Sequence, residues 1–406
     1  MVAQLAKPWV AGVLALVVYL LRACLSPNGL QVTDNAYFNY LADAFLHGQL
    51  ALRQLPDSHR DLSFYQGQAY LYWPPFPALL VVPLVALFGV GVSDVVYTAV
   101  IAAVTVSLLA RLLETLDAIG IAPLTVERRA VLVITLAFGS VVLILAPVGT
   151  VWFTGQLVGW GCALLAAVAA LTGRGRWGYF LTGLALACAM LTRVSLVFNG
   201  IWLAYWLLRR DWKQPRYARL VAWGLAPLVA AGLWLAWYNW ARFGSPADMG
   251  LAYHNVNPFF RADFEHYGVF NPHYLPTNLK FQFVAYSVFD HKQRWFGSGL
   301  FWMTPVLLGA FSGIRQGWRD PLVWMLLLSC AVIYIPIGLL MGTGWVTFGP
   351  RYLLDLMVPL VVMTARGIRH WRLEVLAMLL IISCATYLYG SWVWLQLQED
   401  LSATGG

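Results

Sequence analysis

Asp34 is the residue of this chain best suited by position to do chemistry. It lies shortly after the first membrane-length apolar run, residues 8–25, at the start of a long polar loop. Asp is among the best N-cap residues, so Asp34 could simply cap a helix that follows it. It could also be a general base that takes a proton from an acceptor hydroxyl. The two roles are compatible, and we predict a base acting on a substrate whose other part is lipid.

Two arginines suggest a second kind of chemistry, the binding of an anion. Arg193 follows Leu-Thr, and Arg351 stands in Phe-Gly-Pro-Arg-Tyr before Tyr352. An arginine at a helix end commonly extends to the lipid headgroups, and Asp355 is a possible partner for Arg351 one helical turn on. If both guanidinium groups reach the same membrane face, they match a phosphate. We therefore predict an anion site at Arg193 and Arg351, with a phosphate as the best-matched ligand.

The polar segment 58–73 supplies further candidates in the same loop. Asp61 is a second carboxylate, and His59 and Tyr65 lie beside it. Aromatic rings pack on sugars, although they also mark membrane interfaces. His59 and Asp61 are too few to predict a metal centre, so no cofactor is expected, although a divalent metal is compatible with them. We expect Asp61 to be catalytic and His59, Tyr65 and Tyr37 to contact substrate.

A short turn at 150–156 completes the set of candidates. It carries Trp152 and Gln156 and has no acidic residue. An aromatic turn at the membrane interface explains it adequately. We include Gln156 among the expected substrate contacts.

The composition assigns the chain to the polytopic helical membrane proteins. Of its residues 60% are hydrophobic and 11% charged, and the mean hydropathy is +0.69. Soluble domains carry about 25% charged residues. Apolar runs of membrane length recur to the end of the chain, so we expect one membrane domain, 1–406. The five cysteines show no metal-binding or disulfide spacing, and the net charge of +8 follows the membrane, which argues against a nucleic-acid partner.

Charge decides which runs cross the membrane. Twelve apolar runs can be distinguished, but twelve crossings would place the basic segments 174–176 and 209–219 outside, against the positive-inside rule. The run 75–92 is short and proline-rich, so we expect it not to cross. About eleven crossings then remain, with the N-terminus in the cytoplasm of a plasma-membrane protein.

This topology predicts two large outer loops. The first, 26–93, contains an amphipathic helix within 35–50, with Asn39 expected on its polar face, and the non-crossing helix 75–92. The second is 243–296. Both loops, Arg193 and Arg351 would then share the outward face.

Six motifs in order along the chain support a family resemblance. They are Thr33-Asp34-Asn35-Ala36-Tyr37, His59-x-Asp61, Tyr65-x-Gly67-x-x-Tyr70-x-Tyr72-x-Pro74-Pro75, Leu191-Thr192-Arg193, Tyr238-Asn239-x-x-Arg242-Phe243-Gly244-Ser245-Pro246, and Phe348-Gly349-Pro350-Arg351-Tyr352-Leu353-Leu354-Asp355-x-x-x-Pro359. Together they resemble bacterial integral-membrane glycosyltransferases of the GT-C fold. That superfamily includes the protein O-mannosyltransferases and the aminoarabinose transferases of lipid A.

The resemblance implies an all-α, GT-C-like transferase that takes a sugar from a polyprenyl-phosphate donor outside the cytoplasm. Asp34 would match the family's acidic base, and the step Arg351-Tyr352 would match the residues that bind the lipid phosphate. The acceptor could be a lipid, a glycan or a protein. Two alternatives stay open: a polyprenyl-lipid flippase or transporter, and a surface-polysaccharide polymerase or ligase with a diphosphate-linked donor.

Overall fold

The computed structural model describes residues 2–285, 299–344 and 347–403. Within them the regular elements are helices apart from one two-stranded hairpin, which confirms the all-α prediction. The helices are α1 (Val2–Leu5), α2 (Pro8–Cys24), α3 (Tyr37–Leu46), α4 (Phe76–Phe88), α5 (Asp94–Ala118), α6 (Val126–Phe138), α7 (Val142–Leu145), α8 (Thr150–Thr172), α9 (Gly175–Met190), α10 (Gly200–Asp211), α11 (Tyr217–Phe243), α12 (Arg261–Tyr267), α13 (Leu275–Leu279), α14 (Leu300–Met303), α15 (Gly309–Gln316), α16 (Pro321–Leu339), α17 (Met357–Ile368) and α18 (Leu373–Ala403). The strands are β1 (Ser63–Tyr65) and β2 (Gln68–Tyr70), paired antiparallel.

Short 3₁₀ segments connect several of these helices. They are Val194–Asn199, Leu251–Tyr253, Pro258–Phe260, Pro272–Tyr274, Pro305–Leu308 and Arg351–Leu356, and a π-helical turn covers Lys280–Val284.

The long helices begin and end at residues suited to those positions. The Ser93 hydroxyl accepts from the amide of Val96 and caps α5. Asp320 caps α16 in the same way. At the other end of α11, Gly244 adopts φ +76°, a left-handed conformation that glycine reaches without strain.

Five described helices are long and apolar enough to cross a membrane. They are α5, α8, α11, α16 and the part of α18 from Leu373 to Val393, while α2 and α4 are apolar but shorter. This is the pattern of a multi-pass membrane protein. The count of eleven crossings stays a prediction, as does the non-crossing of 75–92. The 13 residues of α4 extend about 20 Å, less than the hydrocarbon core of about 30 Å.

Several apolar runs that we predicted as single spans are interrupted. The run 128–147 breaks after α6, where a Cβ on Gly139 would lie 2.7 Å from the Cβ of Ser383 in α18. Glycine therefore permits the close approach of α18 at this point. The runs 194–208 and 350–367 each begin with a 3₁₀ segment, Val194–Asn199 and Arg351–Leu356. Hydropathy averaged over a membrane-length window does not register such breaks, because the few polar residues at them, such as Ser140 and Ser195, are outweighed by apolar neighbours.

The core of the membrane domain forms around α8. This helix packs against α5 and α9, and α5 packs in turn against α2. In its apolar window 78% of residues are buried, against 17% in α11. The apolar outer face of α11 is thus placed to meet lipid, whereas α8 is enclosed by protein and can support a site at its end.

The first predicted loop has its own small core. The helices α3 and α4 pack together, and Tyr37, Phe38 and Leu41 of α3 are buried there. We expected Asn39 on the polar face of α3, and this is wrong. Its amide donates to the carbonyls of Val90 and Val92, at 2.9 and 2.8 Å, so a buried polar group is satisfied.

The second predicted loop, 243–296, consists of short helices and turns in its described part; residues 286–296 lie outside the described residues. One side joins the first loop, where the amide of Asp61 donates to Asn255 at 3.0 Å. The other side pairs Phe270 with Leu340 at the end of α16. The second loop therefore bridges the first loop and α16.

Candidate functional site

A large, mainly apolar cavity of about 1040 Å³ lies where the two loops meet the membrane domain. Its wall is formed by both loops, the first turn of α8, the segment after α9, the end of α16 and the 3₁₀ segment 351–356. Asp34, Asp61, Arg193, Arg351 and Tyr352, five of the nine predicted site residues, line it. The topology argument had placed these residues on one face, and the structure places them around one volume.

Asp34 does not cap a helix. The helix α3 begins after Ala36, and no side chain caps its first turn. Within the described residues, the Asp34 carboxylate has no hydrogen bond or ion pair, and it lines the cavity. The capping alternative is therefore wrong, and the carboxylate is available to a ligand.

Asp94, which sequence reasoning overlooked, holds the backbone beside Asp34. Its Oδ1 accepts from the amide of Thr33 at 2.8 Å, and its Oδ2 accepts from the Thr33 hydroxyl at 2.6 Å. The same Oδ2 accepts from the amide of Thr150 at 2.8 Å. One buried carboxylate thus fixes both the Asp34 segment and the start of α8. The signal in the sequence was the Ser-Asp pair at a helix start.

Gly149 explains how Asp94 comes so close to the start of α8. It has φ +73°, and a Cβ there would lie 2.9 Å from the Asp94 Oδ2 and 2.9 Å from the amide of Val95. The segment 150–156 that follows is the first turns of α8 and not the interfacial turn that we expected. The aromatic side chains of Trp152 and Phe153 consequently form part of the cavity wall.

Asp61 is held by protein on both carboxylate oxygens. The indole Nε1 of Trp152 donates to Oδ2 at 3.0 Å, and Nε2 of His254 lies 2.9 Å from Oδ1. Its backbone has φ +63°, a left-handed conformation in which Asp is enriched among non-glycine residues. These contacts fix Asp61 as a wall residue. It is less free than Asp34 to accept a proton from substrate.

Arg193 is paired with a buried carboxylate. Its Nε donates to Oδ2 of Asp355 at 2.8 Å, and the Asp355 side chain is 1% exposed. Asp355 was expected to be a partner of Arg351, and the structure places it with Arg193 instead. The reason is that residues 351–356 form a 3₁₀ segment, so the spacing of an α-helical turn does not apply.

Arg351 is a buried cation without a carboxylate partner among the described residues. It is 8% exposed, its Nε donates to the carbonyl of Gly344 at 3.3 Å, and one terminal nitrogen lies 3.3 Å from the Tyr352 hydroxyl. Its guanidinium carbon lies 4.8 Å from the Tyr352 ring centre and 5.5 Å from that of Phe153. Neutral acceptors and ring faces leave the positive charge uncompensated.

Four predicted substrate contacts do not line the cavity. The hydroxyl of Tyr37 donates a hydrogen bond to the carbonyl of Arg60 at 2.8 Å, within the first loop. Burial raises the pKa of Tyr37 to about 12. His59 is exposed to solvent. Tyr65 packs on Phe243, with ring centres 5.8 Å apart. These three are therefore not retained as substrate contacts.

Gln156 has an indirect role. It is buried, and its Nε2 donates to the main-chain carbonyl of Arg351 at 3.0 Å. It therefore orients the backbone of Arg351 from α8 without itself lining the cavity.

Three further residues of the cavity wall were not among the predicted site residues. Tyr72 belongs to the first loop, His254 to the second, and Arg60 lies at the exposed edge of the first. Although Tyr72 belongs to one of the family motifs, no local spacing assigned these three residues to one site, because only the docking of the two loops brings them together. Within the described ranges, no group of three or more His, Cys, Asp or Glu side chains could hold a metal ion.

Comparison with protein-family models and with curated proteins gave no match. The chain is similar to two solved structures of ArnT from Cupriavidus metallidurans, each at 18% identity. The one bound to undecaprenyl phosphate has a TM-score of 0.46, and the similarity covers 88% of this chain and 58% of that chain. For the apo structure the TM-score is 0.47, with 92% and 61% covered. The chain thus spans about three fifths of the length of the ArnT chains.

Proposed function

We propose that this chain is a membrane glycosyltransferase that moves a sugar from a polyprenyl-phosphate donor to an acceptor hydroxyl. The observation that carries this proposal is the pairing of two unlike groups in one apolar cavity. Asp34 has a carboxylate with no partner among the described residues, and Arg351 has a buried charge that no described carboxylate compensates. A base, a cation and an apolar wall are what this reaction needs.

The cation accounts for the phosphate end of the donor. A buried charge without a partner is strongly unfavourable. An anionic ligand that pairs with Arg351 would therefore bind with a substantially favourable free energy. A guanidinium group matches phosphate oxygens in a bidentate geometry. Arg193 can assist with its terminal nitrogens, because only its Nε is committed to Asp355. The apolar wall is suited to the prenyl chain.

The carboxylate accounts for the acceptor end. Asp34 takes the proton of the acceptor hydroxyl as the oxygen attacks the anomeric carbon. The bond from that carbon to the phosphate oxygen breaks, and its electron pair leaves with the polyprenyl phosphate. Attack from the face opposite the phosphate inverts the anomeric centre.

Arg351 contributes to the rate as well as to binding. The leaving phosphate gains negative charge as the bond breaks, so its interaction with a fixed cation is stronger in the transition state than in the donor complex. Only such differential binding accelerates the chemical step. Asp61 then serves to shape the wall between the two loops.

The proposal includes a location and an orientation. The cavity faces outward from a plasma membrane, and the N-terminus lies in the cytoplasm, because the short basic segments then lie inside. The partners are a polyprenyl-phosphate sugar, membrane lipids and an acceptor that is a glycan, a lipid or a protein. The sugar is a hexose or a pentose.

The test is turnover by purified protein in lipid nanodiscs. We would supply undecaprenyl-phosphate hexoses labelled in the sugar, with lipid, glycan and peptide acceptors, and measure release of undecaprenyl phosphate. The proposal predicts acceptor-dependent release. Binding of the donor without release, combined with movement of the lipid between leaflets of a vesicle, would instead favour a flippase. Diphosphate-linked donors would be tested in parallel, and release of undecaprenyl diphosphate from them alone would favour a polymerase or ligase.

A further inference from the structure

Tyr72 is fixed in the cavity wall by aromatic neighbours. It follows the hairpin of β1 and β2 and stacks on Trp73, with ring centres 3.8 Å apart and planes at 22°. The ring of His254 meets it edge-on at 4.9 Å. Because His254 is itself held by Asp61, contacts from both loops restrict the Tyr72 ring.

The hydroxyl of Tyr72 has no hydrogen-bond partner within the described residues, although the residue lines the cavity. The hydroxyls of the nearby loop residues Tyr37 and Tyr70, in contrast, have protein partners, for instance Gln68 at 2.6 Å from Tyr70. Tyr72 thus brings to the cavity lining a hydroxyl that is available to a ligand.

The charges around Tyr72 are those of the proposed phosphate site. Burial raises the pKa of Tyr72 well above its usual value, and the negative charge of Asp61 raises it further. Arg351 and Arg193, which line the same cavity, lower the pKa of Tyr72. At neutral pH the hydroxyl keeps its proton and can donate it in a hydrogen bond.

We infer that the Tyr72 hydroxyl donates a hydrogen bond to the phosphate of the lipid donor, beside Arg351 and Arg193. This inference rests on the proposed function and adds a residue from the first loop to a phosphate site otherwise built from the membrane domain. A fixed neutral donor satisfies a phosphate oxygen without adding charge. It also strengthens its interaction as the leaving phosphate becomes more negative.

The test is binding of undecaprenyl phosphate, which needs neither a known sugar nor an acceptor. We would measure its affinity for wild type and Tyr72→Phe in nanodiscs, with undecaprenol as the probe that lacks phosphate. Tyr72→Phe keeps the ring and its stacking on Trp73. Tyr70→Phe, two residues away and outside the cavity lining, is the matched control.

The inference predicts that Tyr72→Phe weakens undecaprenyl phosphate binding about 10- to 100-fold, the range for a hydrogen bond to a charged group. Undecaprenol binding should change less than about twofold, and Tyr70→Phe should bind both lipids as wild type does. Equal affinity of Tyr72→Phe and wild type for the phosphate, with Arg351→Ala strongly impaired, would overturn the role of Tyr72 and leave the phosphate site intact.

Two further results separate this inference from the proposed function. If wild type binds undecaprenyl phosphate no better than undecaprenol, the proposed phosphate site is wrong and the Tyr72 inference fails with it. If Tyr72→Phe loses both lipids equally, the ring acts in packing the prenyl chain, and the hydrogen bond is contradicted. Thermal unfolding of each variant checks that the fold is retained.

Discussion

At the scale of single residues, the chemistry of the cavity depends on which charges are already compensated. Arg193 has Asp355, and Asp61 has Trp152 and His254. Among the described residues, Arg351 and Asp34 have no such partners. A ligand that brings an anion and a proton donor would therefore complete the site at these two points.

Substitutions of Arg351 should distinguish the contribution of its positive charge to lipid-phosphate binding from that of its planar guanidinium geometry. We expect Arg351→Ala to weaken binding of undecaprenyl phosphate by about 100-fold, or roughly 2.7 kcal/mol, because it removes the uncompensated cation. Arg351→Lys should recover only part of this loss, since an ammonium group lacks the planar fork. Binding titrations in nanodiscs measure both effects.

Arg372→Ala provides the control for Arg351. Its side chain is 83% exposed and lies at the start of α18, away from the cavity lining. It should bind the lipid as wild type does. If Arg351→Lys bound as tightly as wild type, a bidentate contact to the phosphate would be contradicted.

At the scale of elements, the site depends on a few ties between segments distant in sequence. Asp94 at the start of α5 joins the Asp34 segment to the start of α8. Ser63 and His254 join the two loops, and Gln156 in α8 orients Arg351. The positions of the base and the cation are therefore set by the junctions of helices and loops.

Asp94→Asn should affect catalysis through position. The amide keeps one acceptor oxygen and loses the charge, so the hold on Thr33 and Thr150 weakens. We expect kcat to fall at least about tenfold. A general base typically accelerates the reaction about 10²- to 10⁴-fold, and a misplaced base loses part of that acceleration. The affinity for undecaprenyl phosphate should change less than about threefold, since the arginines are untouched.

The matched control for Asp94 lies at the other end of the same helix. Asp117 near the C-terminal end of α5 pairs with Arg129, and Asp117→Asn should leave both kcat and lipid affinity near those of wild type. A parallel loss of lipid affinity in Asp94→Asn would show that Asp94 supports the whole cavity and has no selective effect on the base.

At the scale of the whole molecule, charge and hydropathy predicted the membrane class and the residues that share a face. Both properties are averaged over whole segments of the sequence, so they can be evaluated without knowing the tertiary contacts. The partner of Asp355 and the ties of Asp61 to His254 and Trp152 were not predictable, since they join residues far apart in the chain. Asn39 was misassigned because a satisfied buried amide looks the same in sequence as an exposed one.

The topology itself gives a prediction for the whole chain. In a cysteine-free background, single cysteines at Asp57 and Glu265, both exposed, should react with a membrane-impermeant thiol reagent on intact cells. A cysteine at Lys213, exposed between α10 and α11, should react only after permeabilisation. Labelling of Lys213→Cys on intact cells would reverse the orientation on which the outward-facing cavity depends.

The central claim is that Asp34 is the general base of a glycosyl transfer, and Asp34→Asn tests it most directly. The substitution keeps the size of the side chain and removes its basicity. Turnover of undecaprenyl-phosphate hexose should fall at least about 100-fold, while the affinity for undecaprenyl phosphate stays within about threefold of wild type. Asp57→Asn, an exposed carboxylate of the same loop outside the cavity lining, should turn over normally. Equal turnover by Asp34→Asn and wild type would contradict the account.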